Sequence, residues 1–269
     1  NSCVKMITTR DNFEALQKLA NGTSITVAKV SDPAVLTSAI FPKEMLLDKS
    51  NRSKKKIGLF VIRGGAFKDN RISFTQNQAV QLWKDLALEL EECGYDYEFL
   101  TSGSHPDEAF LERLIVEWGL DNKKCVTNLN TPDDLIEKIS SYDGIVACRL
   151  HPSIISYSLK VPTVGLVWNN KVSSFYENIG YPDRVITAKD MNAKTIIERL
   201  NKAIYEGVEH DIDFLVSSYN YLFEGIRSVL RPDSNCKAFS YAELLEHLPS
   251  FTGSDIKTKM NWQLLASRY

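Results

Sequence analysis

Two residues able to bind an anion and move a proton lie close together near the middle of the chain. Arg149 and His151 follow the apolar run Gly144-Ile145-Val146-Ala147 and precede Pro152. A guanidinium presents a planar fork matched to carboxylate or phosphate. An imidazole is the side chain whose ordinary titration lies nearest neutral pH. Proline suits the first turn of a helix, where a backbone N–H has no intrahelical partner. The spacing therefore predicts a strand that ends and a helix that begins near Pro152, with His151 at or beside the N-cap. Unpaired backbone donors and the positive end of the helix then face the same spot as Arg149. An arginine paired with a carboxylate and a histidine that only caps a helix fit an isolated R-x-H equally well. The position beyond the carboxyl end of a buried strand favours a phosphate or carboxylate site, with Leu150 between the two side chains.

Other loops repeat the pattern more weakly. Lys171, in Trp168-Asn169-Asn170-Lys171, falls where the next strand gives way to a helix and offers a second positive charge or a solvated helix-start lysine. Arg63-Gly64-Gly65 follows an earlier strand and matches neither G-x-G-x-x-G nor the P-loop pattern, so it reads as phosphate contact or as a turn needing positive φ. Ser104 and His105, ahead of Pro106-Asp107-Glu108, open onto the same cleft or cap a helix. His210 and His247 read as surface residues of a helical tail. No H-E-x-x-H or carboxylate cluster is present, so no metal and no cofactor is expected.

The elements that must carry these residues alternate regularly. Strand-like runs at 57–62, 97–101, 125–129, 145–148, 163–168 and 184–187 are separated by helical patterns at 77–93, 106–118, 132–141, 152–159, 172–179 and 193–205. Such alternation predicts right-handed crossovers and an α/β, Rossmann-like parallel sheet. The expected organisation is an α/β remnant over 1–40, a linker over 41–56 containing Lys54-Lys55-Lys56, a large domain over 57–231 ending in a long helix, and a helical tail over 232–269. The chain starts at Asn1 in what reads as the middle of a fold, which suggests a truncated product.

Composition narrows the functional classes. A formal net charge of -2 provides no general field for nucleic acid or an anionic membrane. The cysteines, five in number, are widely spaced without a C-x-x-C pair, so a reducing cytoplasm is the simpler assumption. No apolar run approaches the ~20 residues that span a bilayer, and the start has no signal-peptide layout, although peripheral membrane contact stays open.

Arg149-Leu150-His151, the following Ser156 and Val161-Pro162, and Lys171 resemble the C-terminal motif region of the polysaccharide pyruvyl transferase family. Arg10-Asp11, Asp32-Pro33 and His105-Pro106-Asp107-Glu108 stand in the order that family shows, so the resemblance spans residues 5 to about 205. It implies a GT-B-like fold, here with the N-terminal domain largely missing, and a part in cell-envelope polysaccharide biosynthesis. The implied reaction moves the pyruvyl group of phosphoenolpyruvate onto a sugar of a polysaccharide or glycan precursor as a ketal. Donor binding and catalysis would then fall to Arg149 and His151, with Leu150, Lys171, Arg63, Ser104, His105 and Arg10 as further substrate-binding candidates. Two other readings stand beside it. One is a GT-B glycosyltransferase using a nucleotide sugar, since the same helix-end site serves a diphosphate. The other is a non-catalytic truncated interaction module whose tail docks a partner through Leu244, Leu245 and Leu248.

Overall fold

The computed structural model describes residues 3–41, 49, 52–127, 129 and 131–249. The chain opens with β1 (Met6–Thr9), α1 (Phe13–Ala20), β2 (Thr26–Lys29), a 3-10 turn (Pro33–Leu36) and α2 (Thr37–Ile40). It continues through β3 (Lys56–Phe60), α3 (Ala66–Asp69), α4 (Gln76–Glu92), β4 (Asp96–Leu100), α5 (His105–Val116), β5 (Cys125–Val126) and α6 (Pro132–Ser140). Then come β6 (Gly144–Ala147), α7 (Leu150–Ser158), β7 (Thr163–Leu166), α8 (Asn170–Asn178), β8 (Val185–Ile186), α9 (Ala193–Glu206), α10 (Ile212–Leu230) and α11 (Tyr241–His247). Two compact units result: one holds the described residues of 43–209, the other those of 1–42 and 210–251.

The larger unit is a six-stranded, all-parallel sheet in the order β5-β4-β3-β6-β7-β8. Counted from its own first strand this is 3-2-1-4-5-6, the doubly wound Rossmann order. Helices cover both faces of such a sheet, so its central strands are apolar throughout rather than alternating. Ile57, Leu59, Phe60, Ile145, Val146 and Ala147 are all fully buried. α4 is fixed at its start by a capping box between Thr75 and Gln78. It packs beside α9, with Trp83, Leu86 and Leu90 sharing one core with Ile196 and Leu200.

Most expected elements appear in their expected order, and the departures have local causes. Lys56 belongs to β3 rather than to an exposed linker: it pairs with Asp96 in the strand register, and its ammonium lies 2.6 Å from the Glu98 carboxylate. Much of the expected 41–56 linker, and the tail beyond 249, lies outside the described residues. Neither Gly64 nor Gly65 adopts positive φ. Gly64 is required by crowding instead, because a Cβ there would stand 3.1 Å from the backbone Cα of Gln76 at the start of α4.

The smaller unit is built from both ends of its chain segment. β1 and β2 form a two-stranded parallel sheet, and α10 packs on β1 and on the 3-10 turn. Val35 and Leu215 are fully buried there, and the Ser31 N–H donates to the Ser217 hydroxyl at 2.8 Å. The long helix therefore groups with the first 42 residues, and the large unit ends at 209 rather than at 231. In α11 the apolar stripe divides: Leu244 is buried, whereas Leu245 is exposed.

Candidate functional site

Topology brings the candidate residues to one edge. The chain leaves β3 towards β4 on one side, while β6 lies on the other, so the order reverses between β3 and β6. Open α/β sheets bind ligands in the crevice outside the carboxyl ends of the strands at such a reversal. Phe60 and Ala147 are register partners, and the Cys148 N–H donates to the Phe60 carbonyl at 3.2 Å. Arg63 follows β3, Ser104 and His105 follow β4, Arg149 to His151 follow β6, and Lys171 follows β7. All therefore lie at the carboxyl edge of the sheet.

α7 begins two residues earlier than the proline suggests. Arg149 is its N-cap in extended conformation, so Leu150, His151 and Pro152 are its first three helical residues. Pro152 still sits in the first turn, where its missing N–H has no intrahelical partner. Leu150 is largely buried, so what it can offer a ligand is its backbone N–H. His151 is exposed, and no described residue hydrogen-bonds its ring.

Arg149 is engaged by a carboxylate. Its Nε donates to Asp107 Oδ2 at 2.7 Å and its Nη2 to Asp107 Oδ1 at 3.0 Å, with the Ser104 hydroxyl 3.5 Å from Nη2. Asp107 is fully buried, whereas the Arg149 side chain keeps 24% of its surface exposed. The Arg149 Cζ lies 5.2 Å from the centre of the Trp168 ring, a cation–π distance. The Trp168 indole nitrogen is itself buried without an acceptor among the described residues. A buried donor left open beside a guanidinium is what an anionic ligand or an ordered water would satisfy.

The neighbouring groups complete the edge. Ser104 caps α5 through its backbone and makes no side-chain cap bond, which leaves its hydroxyl facing Arg149. His105 is exposed at the first position of α5. Glu108 is half-buried; burial raises its pKa, the hydroxyl of Thr101 opposes that, and the charges of Glu112 and Asp107 add to the rise. The Arg63 backbone N–H donates to Asp107 at 3.0 Å, while its side chain pairs with Asp69. Lys171 is exposed at the second position of α8, capped by Asn169. Arg10 belongs to the smaller unit, where it pairs with Asp32. Burial pushes the Cys148 thiol far up, which removes it as a nucleophile. No cluster able to hold a metal occurs among the described residues.

The family model for polysaccharide pyruvyl transferase matches residues 1–170. The chain belongs to that family. The match takes in Arg10, Arg63, Ser104, His105, Arg149, Leu150 and His151, and it stops one residue before Lys171. It thus starts earlier and ends earlier than the span read from the motifs. No curated protein matches the chain. Among solved structures, the N-terminal domain of trehalose-6-phosphate phosphatase from Candida albicans is similar at a TM-score of 0.39 and 11% identity, covering 83% of this chain and 55% of that chain. Among the described residues no helix is long and apolar enough to cross a membrane.

Asp107, Glu108 and Trp168 stand within motifs quoted from the sequence but are not among its candidate site residues. The signal for Asp107 was local: an acid in the first turn of α5, behind proline, at a strand end. Nothing in the sequence tells that its partner is Arg149, 42 residues away.

Proposed function

We propose that the carboxyl-edge site binds phosphoenolpyruvate, and that the protein transfers its enolpyruvyl carbons onto a sugar as a ketal. The observation that carries the reading is the Arg149-Leu150-His151 turn at the strand-order reversal of a chain in this family. Phosphoenolpyruvate is a small, multiply charged anion. Arg149 and the open backbone donors of Leu150 and His151 supply donors suited to its carboxylate and phosphate oxygens.

Ketal formation requires a proton on the methylene carbon, which leaves positive charge at the central carbon. One sugar hydroxyl adds there and gives up its proton. Phosphate departs with the electrons of its C–O bond, and a second hydroxyl closes the ketal, its proton balancing the charge on phosphate. His151, exposed beside the anion donors, is the residue to give or relay the first proton. Lys171, Arg63, Ser104 and His105 stand as further donor-side contacts. Arg10 is a contact proposed on the family resemblance alone.

Incubation with phosphoenolpyruvate and oligosaccharide acceptors should release phosphate only when an acceptor is present, with pyruvate ketal in the product by mass spectrometry. Turnover of a UDP- or CMP-sugar with phosphoenolpyruvate untouched would replace this reading with the glycosyltransferase one.

A further inference from the structure

We infer that Asp107 is the positioning residue of the anion site, a buried carboxylate that decides which edge of the Arg149 guanidinium is left for the ligand; the inference rests on the proposed reading of the site. A fully buried carboxylate is costly unless its lone pairs are filled. They are filled from two loops. The Nε and Nη2 groups of Arg149 donate to it at 2.7 and 3.0 Å, and the Arg63 backbone N–H donates at 3.0 Å. One side chain thus ties the loop after β3 to the loop after β6 across the strand-order reversal. The guanidinium is also held on its face by the Trp168 ring at 5.2 Å.

With Nε and Nη2 taken up, Nη1 is the amino group of Arg149 that no described residue engages, on a side chain still 24% exposed. The Nε/Nη2 edge of the arginine therefore belongs to Asp107, and an incoming anion meets the Nη1 end of the guanidinium, held at a fixed angle. Charge and geometry then pull in opposite directions. The negative charge of Asp107 repels an anion, whereas its hydrogen bonds aim the donor that binds it. Removing the charge while keeping the shape separates the two effects by sign.

The test is calorimetric titration of inorganic phosphate and of phosphoenolpyruvate into the full chain, wild type against Asp107→Asn. The amide keeps the acceptor shared by the Arg63 N–H and Arg149 Nη2 but turns a donor towards the Nε–H of Arg149. If Asp107 positions the guanidinium, binding should weaken about tenfold, the scale of one charge-assisted hydrogen bond. Tighter or unchanged binding in the variant overturns the inference alone, because it shows that Asp107 only neutralises charge. Nitrogen-15 spectra of the wild-type chain supply a second measurement that needs no variant. Phosphate should shift the Nη signals of Arg149 while its Nε–H stays bonded to Asp107, and displacement of that Nε–H on binding overturns the inference. A wild-type chain that binds neither anion removes the proposed reading of the site and this inference together.

Discussion

His151 and Lys171 occupy the same place in successive helices, the second residue after an N-cap at the end of neighbouring strands. Their side chains are exposed at the sheet edge, whereas Arg149 beside them is fixed by Asp107. The roles proposed for Arg149 and His151 therefore divide between a held cation and an exposed imidazole. Substituting His151→Ala removes the proposed proton-transfer group without touching the ion pair. Turnover of phosphoenolpyruvate should fall on the order of 10²–10⁴-fold while phosphate affinity changes little. A variant whose turnover equals wild type would take His151 out of the mechanism. Cys148, three residues earlier, is packed in the core and has no part in that chemistry.

At the scale of elements, β4 carries a charged knot that holds the sheet together beneath the site. Glu98 accepts from Lys56 at 2.6 Å and from the Tyr142 hydroxyl at 2.8 Å, and the Lys138 ammonium lies at 2.6 Å. Burial works to raise the pKa of Glu98, but the hydrogen bonds from Lys138, Lys56 and Tyr142 outweigh it and hold the carboxyl below its ordinary range. A carboxyl depressed in the fold contributes stability above its unfolded pKa and loses it as pH falls through the folded value. Glu98→Gln should therefore cost about 1–3 kcal/mol in urea unfolding at neutral pH. The difference from wild type should shrink as the pH is lowered through the carboxylate range. A difference that stays constant down to acid would mean that packing, not the charge, gives Glu98 its weight.

On the scale of the whole molecule, the smaller unit depends on a helix that arrives about 180 residues after its strands, as the Ser31–Ser217 contact shows with a separation of 186. Leu215 is the fully buried anchor of that helix, while Leu222, Ile226, Val229 and Leu230 further along are exposed. Leu215→Ala should cost about 2–5 kcal/mol. Hydrogen exchange should place that loss in β1, β2 and α10 and leave β3 to β8 protected, since the two units have separate cores. Equal loss of protection in both sheets would show that they unfold as one body.

Periodicity and punctuation made the larger unit legible in advance. Apolar runs buried on both faces and proline-opened or capped helices predict parallel strands with crossover helices, because backbone hydrogen bonding and burial of apolar side chains leave few other solutions. The same local logic put Arg149 and His151 at a strand end, and the ordered motifs pointed to the family. What the sequence could not determine was pairing across distance. That Arg149 meets Asp107, that Lys56 and Lys138 converge on Glu98, and that α10 returns to the opening strands all depend on which segments fold side by side. Register and packing decide such contacts, since a carboxylate or a leucine carries no local mark of the partner it will reach. Gly64 makes the point in one residue: its sequence suggested a turn, and only the approach of Gln76 in the folded chain explains why nothing larger fits.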